Sequence, residues 1–286
     1  MISVVVPAYN EEAVIERCLK ALTDGAPAGA LEVVVACNGC HDRTAEIAEA
    51  FGPPVRVVQT TTASKVAALN LGDAAVTGFP RFYVDADVIL PWPTVRATAQ
   101  ALERSGKPAG APRLEMDLSG SGPGVRAYYA VWLKLTFHRA GMIGCGVYVL
   151  SAEGRARFGE FPDLIADDAF VRSRFVDSER AMPDNDATVI VAGPRTLGEL
   201  IKIKTRSRLG LAQLRAYEPD RYELGLKKDR WFFGPVLARP WLWPCALVYL
   251  YVNLASRLRA RRQLRSIETY RWERDESSRT AAAPAS

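Results

Sequence analysis

Asp85 and Asp87 stand one residue apart, directly after the run Arg81-Phe82-Tyr83-Val84. Two carboxylates at a strand end can point towards the same cleft. A hard divalent cation needs such oxygens, and Mg²⁺ is commonly held by one or two carboxylates plus substrate phosphates. The bland alternative is a pair of solvated loop acids, so the surroundings must decide. A second acidic pair, Asp167-Asp168, opens the Ala169-Phe170-Val171 segment, where a helix N-terminus favours negative charge in any case. Lys202, Lys204, Arg206 and Arg208 form a basic cluster that also reads as a solvated face. Cys37 and Cys40 have C-x-x-C spacing, but no second Cys or His pair follows at zinc spacing. The cysteines number five, an odd count, which argues against a disulfide framework. His41 reads as an exposed loop residue and His138 as packing in an aromatic helix.

The elements that must position these residues alternate regularly. Strand-like runs at Ile2–Val6, Leu31–Ala36, Val55–Val58 and Arg81–Val84 are separated by helical patterns at Glu11–Leu22, Asp42–Phe51 and Lys65–Val76. The β-branched run Ile2–Val6 suits a strand buried on both faces. This order predicts an α/β fold, a doubly wound and mostly parallel sheet with helices on both faces. Ligands in such sheets bind beyond the carboxyl ends of the strands, so chemistry is sought in the loops after strands one, two and four. Further on, the pattern predicts a helix at Thr94–Arg104, an extended segment at Ala109–Met116 and a Gly/Ser/Pro loop at Ser119–Gly124. A helix at Val125–Arg139, a strand at Val147–Leu150, a helix at Asp167–Phe175 and a strand at Thr188–Val191 follow.

Three further segments give the Asp85/Asp87 pair its context. Val4-Val5-Val6-Pro7-Ala8-Tyr9-Asn10-Glu11-Glu12 opens the chain, and Val33 to Thr44 carries Cys37-Asn38-Gly39-Cys40-His41-Asp42 off the end of strand two. Ser64-Lys65-Val66-Ala67-Ala68-Leu69-Asn70-Leu71-Gly72 opens the third helix. Together these resemble the nucleotide-sugar half of the family 2 inverting glycosyltransferases, which have the GT-A fold. The resemblance covers about residues 1–215 and is strongest over 1–90. It implies transfer of a sugar from a nucleoside-diphosphate donor to a hydroxyl acceptor, with Mg²⁺ or Mn²⁺ as cofactor.

Each residue then acquires an implied role. Pro7 and Tyr9 form a wall against the nucleobase, with Tyr9 offering a π-face. Glu11 accepts from base or ribose donors, its alternative being a first-turn helix acid. Asn38 and Asp42 occupy positions where the family usually has acidic residues. Asn38 still reads a base edge through its amide, and Asp42 has the alternative of capping the next helix. Lys65 contacts the donor's phosphate or base, Asp85 meets the ribose or the metal, and Asp87 the metal. Of the acidic pair, the family's pattern makes Asp168 the base that takes the acceptor's proton, beside Asp167 in place of the commoner Glu. Gly144-Cys145-Gly146-Val147 resembles the glycine-containing turn on the acceptor side. Arg206 and Arg208 best match an Arg-rich motif that reaches the diphosphate, although its usual Gln and Trp neighbours are missing.

Composition bounds the rest. The chain has 286 residues, 49% of them hydrophobic, enough for a sizeable core. Lys plus Arg number 37 against 32 Asp plus Glu, a net charge of +5. The charge is uneven: residues 1–225 hold 25 basic and 27 acidic residues, residues 226–286 hold 12 and 5. A near-neutral body with a basic end argues against a nucleic-acid-binding core. Trp231–Leu254 is apolar apart from Arg239 and Asn253, with prolines at 235, 240 and 244. Lys227, Lys228 and Arg230 precede it, and Arg257, Arg259, Arg261, Arg262 and Arg265 follow. Basic flanks at both ends favour an interfacial helical segment on anionic headgroups over a single span. The alternative is an apolar arm buried on the domain or in a dimer.

The expected organisation is therefore a nucleotide-sugar half at 1–90 and an acceptor half at 91–225. A membrane-associating segment at 226–266 and a polar tail at 267–286, disordered at its end, complete it. No signal peptide is read at the start, which places the protein at the cytoplasmic face of the membrane, peripheral or monotopic. The acceptor is then lipid-linked or membrane-delivered, as in cell-envelope glycan or glycolipid synthesis. Competing readings are a polyprenyl-phosphate glycosyltransferase, a sugar-nucleotidyltransferase and a non-catalytic membrane-associated binding protein. The second normally shows a Gly-rich basic phosphate loop, which Pro7-Ala8-Tyr9-Asn10-Glu11 is not.

Overall fold

The computed structural model describes residues 1–136, 144–184, 187–221 and 234–264. His138, Arg139, Lys227, Lys228, Arg230, Trp231, Arg265 and the 267–286 tail lie outside the described residues. The chain divides into two compact units. The first comprises Met1–Glu115, Ala140–Asp163 and Phe170–Val191; the second comprises Met116–Arg139, Leu164–Ala169 and Ala192–Ser286.

The first unit is built on the expected alternation. β1 (Ile2–Ala8), α1 (Ile15–Thr23), β2 (Leu31–Asn38), α2 (Thr44–Glu49), β3 (Val55–Thr60), α3 (Lys65–Ala75) and β4 (Arg81–Val84) follow one another. α4 (Trp92–Ser105), β5 (Ala109–Gly110), β6 (Arg113–Asp117), β7 (Val147–Leu150), α6 (Ala152–Arg155), β8 (Arg180–Ala181) and β9 (Thr188–Ala192) complete it. Seven strands form one sheet in the order β3-β2-β1-β4-β7-β5-β8. β1 runs parallel to both β2 and β4, while β7 lies antiparallel to β4. The order reverses between β2 and β4 around β1, which is the switch point where such sheets open a ligand crevice. Val4, Val6, Ile15, Leu19, Val33, Val35, Phe82 and Val149 are buried in one cluster along this sheet. Gly72 of α3 is needed for that packing, because a Cβ there would lie 2.5 Å from Cγ1 of Val5.

α1 begins four residues later than its apolar pattern. Glu11 is held outside the helix: its backbone N–H donates to Thr44 Oγ1 at 2.7 Å, and its carbonyl accepts from Val14 and Ile15. The extended segment expected at Ala109–Met116 is two strands, β5 and β6, and β6 pairs with β9 in a separate two-stranded sheet.

Asp73 on α3 ties the back of this unit together. It takes Arg81 Nη1 at 2.6 Å, Arg155 Nε at 3.0 Å and Nη2 at 2.8 Å, and the Tyr83 hydroxyl. Burial pushes its carboxyl up, but the bonds from Arg155, Tyr83 and Arg81 outweigh that and hold it below the usual carboxylate range. A depressed folded-state value means this stabilisation is present above the ordinary aspartate range and is lost as pH falls through the lower, folded value. Asp73→Asn leaves the buried Arg81 and the half-buried Arg155 guanidiniums short of countercharge. It is expected to lower stability by about 2–4 kcal/mol, measured by urea denaturation at neutral pH, with the gap to wild type closing in acid.

The second unit is helical. α5 (Pro123–Thr136), α8 (Leu197–Tyr217), α9 (Gly234–Leu237) and α10 (Trp243–Gln263) are its elements, with α7 (Asp167–Arg172) beginning in it. α8 starts with a capping box, Thr196 accepting from Glu199 N while the Glu199 carboxylate accepts from Thr196 N. Val125, Tyr128, Leu200, Tyr249 and Val252 share a buried cluster, with Tyr128 stacked on Tyr249 at 5.0 Å between ring centroids. α10 therefore buries one face on α5 and α8. Among the described residues no helix is long and apolar enough to cross a membrane.

Candidate active site

The loops after β1 and β2 are stitched to each other. His41 N donates to Asn10 Oδ1 at 2.8 Å, Glu12 N to Asp42 Oδ2 at 3.1 Å, and Arg43 N to Glu12 Oε2 at 3.1 Å. Asp42 Oδ1 also accepts from Thr44 N at 3.0 Å, so this carboxylate closes the turn into α2 while pinning the β1 loop. Burial raises the Asp42 carboxyl, but the Thr44 hydroxyl and the backbone N–H groups of Thr44 and Glu12 hold it below its ordinary range. Asn10 sits at φ 51, a left-handed conformation that asparagine tolerates. Between these anchors Tyr9 is half-buried, Glu11 and Asn38 are buried, and Pro7 is covered within β1. His41 is exposed, as expected.

Asp85 and Asp87 follow β4 with their neighbours Ala86 and Val88 buried, so both acids emerge half-exposed at the strand end. Lys65 Nζ pairs with Asp85 Oδ1 at 2.7 Å. Lys65 is the first residue of α3, behind Ser64, whose side chain caps Ala67 N at 3.3 Å. A helix N-terminus disfavours a cation, so this lysine gains from the anionic partner in front of it. Gly146, at φ +75, packs beside the pair. Its carbonyl accepts from Asp85 N at 2.8 Å, and a Cβ there would lie 2.6 Å from Val88 Cγ2 and 3.5 Å from Asp85 Oδ2. Behind them Cys18 is fully buried. Burial pushes its thiol up, and the charges of Asp87, Asp85 and Glu11 add to that. Three carboxylates from the loops after β1 and β4 thus act on one point.

In the second unit Asp167 is buried and Asp168 half-exposed at the start of α7. Asp168 Oδ1 accepts from Ala169 N at 2.7 Å. This segment is seated on α8: Ile165 N donates to Gln213 Oε1 at 2.9 Å, and Gly210 leaves the space that Ala166 fills, since a Cβ on it would lie 2.5 Å from that of Ala166. The basic run falls on the same helix. At about 100° per residue, positions two apart diverge, so the cluster splits. Lys204 lies over the rings of Tyr128 at 5.5 Å and Trp132 at 4.9 Å. Arg208 donates to Ser256 Oγ at 3.0 Å and Asn253 Oδ1 at 2.7 Å. These two face the helical core, and Lys202 and Arg206 take another side of α8.

Residues 3–143 match the family model for glycosyl transferase family 2. The chain belongs to this glycosyltransferase family. No curated protein sequence matches it. A mannosyltransferase from Pyrobaculum calidifontis, solved in complex with GDP-Man and Mn²⁺, has 23% identity and a TM-score of 0.58 over 93% of this chain and 80% of its own. Glucosyl-3-phosphoglycerate synthase from Mycobacterium tuberculosis, in complex with Mn²⁺, UDP and phosphoglyceric acid, has 22% identity and a TM-score of 0.55 over 80% of each chain. S. aureus TarS has 18% identity and a TM-score of 0.54 over 75% of this chain; the glycosyltransferase spans only 39% of that longer protein. At these identities the likeness shows the GT-A fold. Family membership sets aside the nucleotidyltransferase and the non-catalytic binding protein.

A divalent cation suits this glycosyltransferase's donor set in one specific way. Among the described residues no group of three or more His, Cys, Asp or Glu side chains is arranged to hold a metal. The acids after β4 offer two hard oxygen groups, and Gly146 lets Val88 pack against the turn beside Asp85. Two carboxylates suffice where substrate phosphates complete the shell. Asp85 is paired with Lys65, so a cation there would share that carboxylate with the lysine. The sequence reading did not find Gln213 and Gly210, which seat the Asp167-Asp168 segment. A glycine inside a helix is the only sequence signal of the latter.

Proposed function

We propose that this glycosyltransferase moves a sugar from a nucleoside-diphosphate donor to a hydroxyl acceptor with inversion at the anomeric carbon. The observation that carries this reading is the gathering of Pro7, Tyr9, Glu11, Asn38, Asp42, Asp85 and Asp87 at the carboxyl ends of β1, β2 and β4, with Lys65 reaching Asp85 from the start of α3. Tyr9 and Pro7 flank the base, Asn38 and Glu11 hydrogen-bond it or its ribose, and Lys65 faces the diphosphate. Asp87, with Asp85, holds Mg²⁺ or Mn²⁺. When bound, the cation neutralises charge growing on the leaving nucleoside diphosphate. Asp168 takes the proton of the attacking hydroxyl on a carboxylate oxygen, with Asp167 beside it. Arg206 and Arg208 serve the diphosphate as the family pattern implies, and Arg208 would have to leave Ser256 and Asn253 of α10 to do so. Relatives of the same fold solved with UDP or GDP-Man and Mn²⁺ support the donor class.

A screen of nucleoside-diphosphate sugars by thermal melting tests the reading. Saturation at 100 times Kd adds about 2.7 kcal/mol of stability, and the stabilisation is expected only with Mg²⁺ or Mn²⁺ present. Equal stabilisation with and without metal refutes the cation's role.

The acceptor is read as membrane-delivered. The outer side of α10 exposes Trp243, Leu247, Leu250, Tyr251, Leu254 and Leu258, with Leu247 at 70% and Leu254 at 59%. These positions recur at helical spacing, opposite the buried Tyr249, Val252, Ser256 and Ala260. Arg257, Arg261 and Arg262 follow on the same helix, exposed. An apolar stripe beside arginines suits an anionic lipid surface. Changing Leu250 and Leu254 together to Glu is expected to cut sedimentation with phosphatidylserine vesicles by about tenfold or more, without lowering the melting temperature. Undiminished sedimentation removes the stripe from the membrane reading. Deleting α10 is the poorer probe, since it strips Tyr249 and Val252 from the helical core.

A further inference from the structure

Cys37 and Cys40 are the feature the sugar-transfer reading leaves unused. Cys37 is the penultimate residue of β2, inside the core, its Cα opposite Ala8 of β1. Gly39, at φ +66, turns the chain back, and any side chain there would press on Ala63 and Thr61. That turn returns the half-exposed Cys40 over the end of β1. Cys40 Sγ donates to Ala8 O at 3.4 Å and receives Asn10 N–H at 3.5 Å. Ala8 is the point the two cysteines share, as the sheet partner of Cys37 and the carbonyl that Cys40 reaches. Tyr9 stands between the two residues that Cys40 touches.

We propose that Cys37 and Cys40 form a thiol–disulfide modification site for small-molecule disulfides, and that its oxidation weakens nucleotide-sugar binding. The second half rests on the donor-site reading of Tyr9. The roles of the two cysteines differ. Its neighbour Cys37, with the backbone N–H groups of Asn10 and Asn38, lowers the Cys40 thiol against the effect of burial. The same thiol pair and burial push Cys37 up. Cys40 is half-exposed and Cys37 buried, so Cys40, as its thiolate, is the thiol that attacks. It displaces one thiolate from the incoming disulfide and forms a mixed disulfide. Cys37 then loses its proton and attacks Cys40 Sγ, expelling the second thiolate. Two protein thiols become one disulfide, and one external disulfide becomes two thiols. The new bond draws Cys40 Sγ onto Cys37 Sγ and away from Ala8 O and Asn10 N, so the contacts that hold the Ala8-Tyr9-Asn10 turn are lost.

The full chain is incubated with oxidised glutathione, digested without reduction and mapped by mass. The expected product is one internal crosslink joining Cys37 to Cys40, two hydrogens lighter and reversed by dithiothreitol. Titration with UDP and with GDP, each with Mn²⁺, is expected to give a Kd raised about tenfold in the oxidised form, and no such change after the same treatment of Cys40→Ser. Failure of the 37–40 crosslink to form overturns the site, whatever the nucleotide result. A crosslink with unchanged nucleotide affinity overturns the link to binding while leaving the donor reading intact. Reduced protein that binds neither nucleotide counts against the donor reading and against that link, and the mass map still decides the modification site.

Discussion

Asp87→Ala is expected to reduce sugar transfer on the order of 10³-fold or more in kcat/KM, the scale of losing a preorganised charge at the departing group. The fold should survive. Asp87 is half-exposed, and the buried residues on either side of it, Ala86 and Val88, are unchanged. The loss should therefore appear in radiolabelled product formation while the melting temperature stays within a degree or two of wild type. The geometry also ranks the two acids. Asp85 is balanced by Lys65 at 2.7 Å, so Asp85→Ala both removes an oxygen and releases a lysine towards the diphosphate. The freed lysine should offset part of that loss, so the effect of Asp85→Ala on donor affinity is expected to be smaller than that of Asp87→Ala. Transfer by Asp87→Ala within a few-fold of wild type would falsify the metal assignment.

The nucleotide side was legible in the sequence because its geometry is local to strand ends. Each of β1, β2 and β4 is a short buried run followed by polar residues, and a parallel sheet aligns those ends without needing any side-chain contact to be known. Strand ends alone point to those loops; the choice of Tyr9, Glu11, Asn38, Asp42, Asp85 and Asp87 within them, and of Lys65 at the start of α3, comes from the resemblance to the family 2 glycosyltransferases. What periodicity could not show is contact between elements distant in sequence. The stitching of Asn10 to His41 and Glu12 to Asp42 joins two loops about thirty residues apart. Asp73 finds Arg155 across 82 residues. The basic run after β9 misled for a different reason. With no helix expected there it read as one cluster, whereas α8 rotates alternate residues apart and gives Lys204 and Arg208 to the helical core. The apolar end was half legible: α10 is apolar on both sides, one buried against α5 and α8 and one exposed, and composition cannot separate the two.

Asp168→Asn is expected to lower kcat by about 10²–10⁴-fold, the usual worth of a positioned general base, with nucleotide Kd unchanged. The substitution is well matched to its site. Asp168 Oδ1 accepts from Ala169 N at 2.7 Å, a bond an asparagine oxygen can keep, and the segment's seat on Gln213 and Gly210 does not involve the carboxylate. What disappears is only the capacity to accept a proton. The split between kcat and Kd is therefore the discriminating readout, because a structural role for Asp168 moves both or neither. The acceptor is the other variable. A hydroxyl must lose its proton as it attacks, whereas a polyprenyl phosphate presents an oxygen that is already anionic. Full activity of Asp168→Asn on a phosphate acceptor, together with a collapse on hydroxyl acceptors, identifies the carboxylate as the base and excludes a general loss of fold. Full activity on every acceptor removes Asp168 from the mechanism and shifts the search to its buried neighbour Asp167.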